Sequence, residues 1–131
     1  MFEINYKKLN VWLKSKELCI IVYNITRKFP KEELYCLTSQ IRRACISIPS
    51  NIAEGYAKSS IKEKLKFVEI AIGSYYELST QIEISHDLEY IINKDYIDFS
   101  FKFNELGKLL TGYKKSLQNK LKEKGSSSNE L

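Results

Sequence analysis

The sequence predicts an all-α fold, an antiparallel up-down-up-down four-helix bundle, and three observations predict it. Chain breakers are scarce, with five glycines and two prolines in 131 residues, which favours long helices over many short strands. Apolar residues recur at alternating steps of three and four along four stretches, which marks one face of an α-helix. No stretch carries the strict alternation of a half-buried strand. The connections between the four stretches are short, and four helices so joined pack most simply up-down-up-down, although a crossover topology stays open. The length suits one domain with a core that needs neither disulfide nor metal.

The first helix is expected over about residues 8–29, where Val11, Ser15, Leu18, Val22, Ile25 and Phe29 form the stripe. Phe29 precedes Pro30 and is pushed out of α geometry, so the helix stops there. The second is expected over 31–57, opened by the acids Glu32 and Glu33, which suit a helix N-terminus. Pro49 interrupts it with an expected kink, and Gly55 near its end suits a C-terminal cap or turn. The third is expected over 61–92, with Ser60 and Glu63 spaced as a capping box. It carries two adjacent stripes, one through Ile61, Val68, Tyr75 and Ile82 and one through Ala71, Ser74, Leu78 and Ser85. Two stripes imply more than one neighbour. Gly73 and Ser74 would admit another backbone closely, so this face belongs either to the central helix of one bundle or to a subunit contact. The fourth helix is expected over 94–124, along Phe99, Phe103, Leu106, Leu110, Tyr113, Leu117 and Leu121. The bundle domain is thus residues 1–124, and "GSSSNEL" at 125–131 reads as a disordered tail.

Cys19, Cys36 and Cys45 are odd in number and include no CxxC pair, so a reduced compartment fits better than a secreted disulfide framework. The first residues, "MFEINYKKLN", lack the regions of a signal peptide. The run "CIIVY" at 19–23 is too short to span a bilayer. The expected location is cytoplasmic, with no membrane partner.

The net charge is +5, unevenly spread. Residues 1–68 hold thirteen Lys/Arg against six acids, 69–98 hold Lys94 against seven acids, and 99–131 hold seven lysines against three acids. In an up-down-up-down bundle the start of helix 1, the end of helix 2, the start of helix 3 and the end of helix 4 share one end. That end gathers Lys7, Lys8, Lys14, Lys58, Lys62, Lys64, Lys66, Lys114, Lys115, Lys120 and Lys122, which are the candidate contacts to nucleic-acid phosphates. Lysine on exposed helix faces is also routine solubilising decoration. No base-reading signature is present, so binding would follow the backbone, be salt-sensitive and read little sequence.

Chemistry has little foothold. His86 is the only histidine and continues a helical stripe, which suits a packed or hydrogen-bonded residue better than a catalytic base. The cysteines fall largely on apolar faces and read as small core residues. Glu83 and His86 form one Glu-x-x-His, but a di-metal bundle needs two. No phosphate-binding glycine pattern occurs. The expectation is a non-enzyme with no catalytic residues, no metal and no cofactor. If helices 2 and 3 are antiparallel, Arg42 and Arg43 fall within a turn or so of Glu69 and Glu77. They form either a charge-assisted pair that fixes register or assembly, or two exposed arginines.

Three blocks carry a family resemblance. "LTSQIRRACISIPSNIAEGYAKSS" (37–60), "FVEIAIGSYYELSTQI" (67–82) and the first-helix residues 9–30 resemble the bacterial 23S rRNA intervening-sequence protein family, also called the four-helix-bundle protein family. The resemblance implies an antiparallel bundle that assembles as a ring-like homopentamer. It also implies kinship with the accessory variability determinant of diversity-generating retroelements, a basic protein that binds nucleic acid and partners a reverse transcriptase. From it follow the expected partners: further copies of this chain, RNA or DNA, and a reverse transcriptase where a retroelement lies nearby. This sequence departs from that relative in its acidic stretch 69–98.

Pro49 leaves the carbonyl of Cys45 without its usual helical donor, and Ser47 or Ser50 can rearrange bonding nearby. The bend would re-aim Asn51, Glu54 and Gly55 toward the turn or a neighbouring subunit. Arg42, Arg43, Pro49, Asn51, Glu54, Gly55, Gly73, Ser74 and Glu77 are therefore the structural or oligomer-contact candidates. Two functions follow: a homo-oligomeric, nucleic-acid-binding accessory or scaffold protein, or a protein-interaction bundle without nucleic acid.

Overall fold

The structure, a computed structural model, describes residues 5–129, with side chains described through residue 125. Among them are four α-helices, α1 (Asn10–Thr26), α2 (Leu37–Tyr56), α3 (Ile61–Asp87) and α4 (Asn93–Asn129), and no strand. Short 3₁₀ turns lie at Asn5–Lys8 and Lys31–Glu33. α1 packs on α2 and α4, and α3 packs on α2 and α4. The core between them is built from Leu18 and Val22 of α1, Ile41, Ile48 and Ile52 of α2, Leu78 and Ile82 of α3, and Leu106 and Leu110 of α4. Each fully buried aliphatic side chain contributes about 1.5–3 kcal/mol of transfer free energy.

Polar partners tie each pair of helices. Thr26 Oγ1 accepts from Arg42 Nε at 2.9 Å, and the Cys45 carbonyl accepts from Cys19 Sγ at 3.2 Å, joining α1 to α2. Ser47 and Ser74 hydroxyls meet at 2.8 Å, and Lys64 Nζ donates to the Tyr56 carbonyl at 2.7 Å, joining α2 to α3. Tyr75 stacks on Phe103 at 3.9 Å and its hydroxyl donates to the Phe103 carbonyl at 2.8 Å, joining α3 to α4. Glu17–Lys102 and Lys14–Glu105, at 2.9 and 3.0 Å, join α1 to α4. The two stripes of α3 now separate: Ser74 serves α2 and Tyr75 serves α4.

The helix ends differ from the sequence expectation, for local reasons. Leu9 is extended and α1 begins at Asn10 rather than at 8. It ends at Thr26 rather than 29, where Arg27, Lys28 and Phe29 close successive turns before Pro30. Residues 31–36 are not part of α2. The acids expected inside it form a 3₁₀ turn, and the Glu33 carboxylate accepts from the Leu37 N–H at 3.3 Å. α3 stops at Asp87 rather than 92. Glu89 takes a left-handed φ of 64°, with Tyr90 N–H bonded to Ser85 O and Glu89 N–H to His86 O, the Schellman pattern. Ser60 caps α3 as expected, accepting from Glu63 N–H at 3.2 Å. α4 continues to Asn129, so the expected disordered tail falls on helical backbone up to there, and residues 130 and 131 lie outside the described residues.

α2 is continuous through Pro49. Proline in a helix interior costs about 3 kcal/mol, and the interhelical bond from Cys19 re-satisfies the carbonyl that Pro49 orphans. Asn51 Nδ2 donates to the Ser47 carbonyl at 2.8 Å and to its hydroxyl at 2.9 Å. Asn51 therefore braces α2 itself, rather than the turn. Gly55 is not a C-cap either: the cap is Ala57 in right-handed geometry. A Cβ at Gly55 would stand 2.7 Å from Phe67 Cβ, so glycine here permits close approach of α3.

Candidate nucleic-acid interface

α4 is 37 residues long and α1 is 17. Lys14, in the second turn of α1, already meets Glu105, so α4 runs well past the start of α1. That distal stretch of α4 packs on the first turns of α3 through a small core of its own, Ile61, Val68 and Leu117, flanked by Leu65, Tyr113 and Leu121. Residues 58–69 and 113–125, which build this two-helix extension, carry nine lysines and three glutamates.

The structure sorts the lysines that the sequence grouped together. Lys62, Lys66, Lys115, Lys120 and Lys122 are exposed. Lys114, Lys115 and Lys122 line one open groove of about 570 Å³ along α4 with Gln118, Asn119 and Leu121. Lys114 also reaches Glu69 at 3.8 Å. Lys58 stands over the Phe67 ring at 5.2 Å, half-buried. Lys64 is committed to the Tyr56 carbonyl and ring, so it ends α2 rather than facing a ligand. Lys7 and Lys8 are exposed on the first 3₁₀ turn, where Tyr6 packs edge-on against Trp12.

Lys14 is the clearest departure from the expected phosphate contacts. It lies between Glu105 at 3.0 Å and Glu17 at 3.4 Å, and the hydrogen bond and charge of Glu105 hold its ammonium above the usual lysine range. The bond from Lys102 correspondingly holds the Glu17 carboxyl below its ordinary value. These residues set α1 against α4.

The arginines part company in the same way. Arg42 turns to α1, not to the α3 acids: it bonds Thr26 and stacks over Tyr23 at 4.6 Å. Arg43 and Glu77 line one polar cavity of about 310 Å³ with Gln40, Ser47 and Ser74, while Glu77 Oε1 accepts from Gln81 at 3.1 Å. Glu54 is exposed, and a Cβ at Gly73 would meet nothing within 4 Å, so Gly73 serves no close approach within this chain. At the other end of the bundle the acids have structural partners. Asp95 pairs with Lys28 at 3.0 Å, Glu33 accepts from Tyr90, and Glu83 accepts from Tyr96. His86 stacks on Tyr96 at 3.9 Å and meets Asn93 at 3.0 Å, as a packed, bonded histidine.

Two arrangements escaped the sequence reading. One is the overhang itself, which the unequal helix lengths encode. The other is the meeting of Cys19 and Cys45, whose sulfurs lie 3.3 Å apart. Cys36, read as a core residue, is exposed. Among the described residues no cluster of three or more His, Cys, Asp or Glu could hold a metal ion, and no helix is long and apolar enough to cross a membrane.

Comparison with known proteins gives the context. Among the solved structures, the chain resembles a crystal structure described as a protein of unknown function from the S23 ribosomal protein family of Bacteroides thetaiotaomicron. The two share 26% identity and a TM-score of 0.73, over 80% of this chain and 95% of that one. None of the curated proteins matches this chain. The family model for the 23S rRNA-intervening sequence protein matches residues 7–112, which includes every block that carried the resemblance. The chain belongs to the 23S rRNA-intervening sequence protein family.

Proposed function

We propose that this protein is a non-enzymatic, homo-oligomeric bundle that binds structured RNA through its basic two-helix extension and acts as an accessory or scaffold factor in the cytoplasm. The observation that carries this reading is the exposed set Lys62, Lys66, Lys115, Lys120 and Lys122, gathered where α3 begins and α4 ends and where lysines outnumber glutamates nine to three, while Asp95, Glu33 and Glu83 at the other end are held by internal partners. Lysine without a planar, base-reading partner set favours phosphate over base. Partner residues descend along one helix as they ascend along the next, Thr26–Arg42 then Cys19–Cys45 and Glu83–Tyr96 then Tyr75–Phe103. This supports the antiparallel up-down-up-down order.

The ring-like, pentameric assembly rests on apolar residues left open on different faces. Ile20 of α1 is 59% exposed, Tyr76 of α3 66% and Phe101 of α4 70%. Distinct patches on different helices suit a head-to-tail contact, which makes a ring when the rotation between copies closes. The same patches favour the second reading, a protein-interaction bundle without nucleic acid; where a retroelement lies nearby, the protein partner would be a reverse transcriptase.

Titration of a structured RNA, followed by fluorescence anisotropy at two salt concentrations, separates the readings. Neutralising Lys62, Lys66, Lys115 and Lys122 to Gln is expected to weaken binding. It should also flatten the dependence of log K on log salt by about 0.7–0.9 per lysine. Binding unchanged by these substitutions, or none by the wild type at low salt, overturns the RNA reading. Light scattering tests assembly: five copies are expected, and a mass of one 15.3 kDa chain refutes it.

A further inference from the structure

We propose that Cys19 and Cys45 form a peroxide-oxidised dithiol, a modification site whose co-substrate is a hydroperoxide and whose product is an α1–α2 disulfide. Their sulfurs are 3.3 Å apart, in van der Waals contact across two helices. A bond of about 2.05 Å therefore needs a closure of little more than 1 Å. The two thiols are differently placed, as attacking and resolving groups must be. Cys19 is half-buried and lines an open groove of about 380 Å³ between α1 and α2, floored by Trp12, Ile46 and Pro49. Cys45 is fully buried behind it. Small oxidants in the groove reach Cys19 first.

The electrostatics agree with that order. The Cys45 hydrogen bond holds the Cys19 thiol below its ordinary pKa, against burial, which works the other way. The Cys45 thiol is pushed far up by its bond to Cys19 and by burial. Lys16 lines the same groove, its ammonium over the Trp12 ring at 5.5 Å. A thiolate, not a thiol, is the nucleophile toward peroxide.

The Cys19 thiolate attacks hydrogen peroxide; an S–O bond forms, the O–O bond breaks, and hydroxide leaves to take up the proton the thiol shed. The Cys45 sulfur then attacks the sulfenic sulfur; the S–S bond forms and the S–O bond breaks. The departing hydroxide takes the Cys45 proton as water. Two thiols lose two electrons and two protons, and one peroxide becomes two waters.

The disulfide has a structural consequence set by Pro49. The Cys45 carbonyl has no helical N–H from Pro49, and its donor in the reduced protein is the Cys19 S–H. Oxidation removes that hydrogen, so a buried carbonyl in the middle of α2 loses its partner as the cross-link forms. The oxidised protein is thus pinned at the sulfurs and loosened along α2 around Pro49, under the groove that holds Ile20 and Ile46.

The test uses the full chain carrying Cys36→Ser, which removes the exposed competing thiol. After hydrogen peroxide, the protein is quenched, unfolded, alkylated and mapped by mass spectrometry. The expected result is loss of both remaining alkylation sites, a Cys19–Cys45 cross-linked peptide, and a mass lower by two hydrogens that a dithiol reductant restores. Cys19 and Cys45 both still alkylated, or Cys19 carried to the sulfinic acid beside a free Cys45, overturns the proposal. In Cys45→Ser, Cys19 has no resolving partner and should accumulate as a sulfenic acid trapped by dimedone; trapping absent overturns the assigned order of attack. Faster amide exchange over residues 50–53 in the oxidised protein is the expected structural readout, and slower exchange there contradicts the loosening.

Discussion

Gly55→Ala isolates the close approach of α2 to α3. An added Cβ would lie 2.7 Å from Phe67 Cβ and 3.4 Å from the Lys64 carbonyl oxygen. Carbon atoms pack best at about 3.5–4.0 Å, so the first contact is short by roughly 1 Å. Neither neighbour can swing aside. Phe67 Cβ is fixed to its backbone, and Lys64 is held by its own bond to Tyr56 across the same turn. The helices must part, which costs about 1–3 kcal/mol for an overpacked core. Replacing glycine by alanine inside a helix returns about 0.8–1.0 kcal/mol. The net expectation is a destabilisation of about 1 kcal/mol. Gly73→Ala supplies the control, because its Cβ meets nothing within 4 Å; the propensity gain stands alone and the variant should be stabilised by about 1 kcal/mol. Urea unfolding followed by far-UV circular dichroism, at matched protein concentration, measures both. Gly55→Ala as stable as Gly73→Ala would refute the close-approach reasoning. Loss of the assembled mass in Gly73→Ala would place Gly73 at a subunit contact.

Other perturbations follow from single sites. Tyr75 is buried, and burial pushes its hydroxyl up to about 12. The folded state therefore holds the proton that the unfolded chain releases from about pH 10. This contribution is whole below pH 10 and falls away as the pH rises toward 12, by about 2–3 kcal/mol. Alkaline unfolding midpoints should show a larger loss in the wild type than in Tyr75→Phe. Glu89→Gly should stabilise the protein by about 0.5–1 kcal/mol in thermal unfolding, since the left-handed φ of 64° strains any side chain more than it strains glycine; a lower melting temperature would contradict the cap assignment. Arg42→Met should cost about 1–3 kcal/mol in the same assay, because the charged bond to Thr26 and the stack on Tyr23 both go. Equal stability would mean that Arg42 is a surface arginine.

The helical rods were legible in the sequence because burial follows the helical period: Val11, Leu18, Val22 and Ile25, or Ile41, Cys45, Ile48 and Ile52, are among the buried positions of their helices. The ends were less legible. They depend on single backbone events, such as the left-handed turn at Glu89 or the Glu33 carboxylate reaching Leu37 N–H, which no periodicity announces. Long side chains were the least legible. Arg42 bonds Thr26 on α1 and not the acids of α3, and Lys14 bridges Glu17 on its own helix and Glu105 on α4; packing sets these partners rather than level along the bundle. The basic extension could be seen only as charge; its shape comes from α4 outrunning α1. Cys19 and Cys45 are 26 positions apart, and only the pairing of α1 with α2 makes them neighbours.

The central claim is that the start of α3 and the end of α4 form the surface that meets a polyanion. Lysine-acetylation footprinting with and without a structured RNA measures it directly, residue by residue, on the unaltered protein. The account predicts that RNA protects Lys62, Lys66, Lys115, Lys120 and Lys122 while Lys31 and Lys94, exposed at the opposite end, label as before. Protection spread evenly over both ends, or none at the five lysines under conditions where RNA is bound, would contradict it.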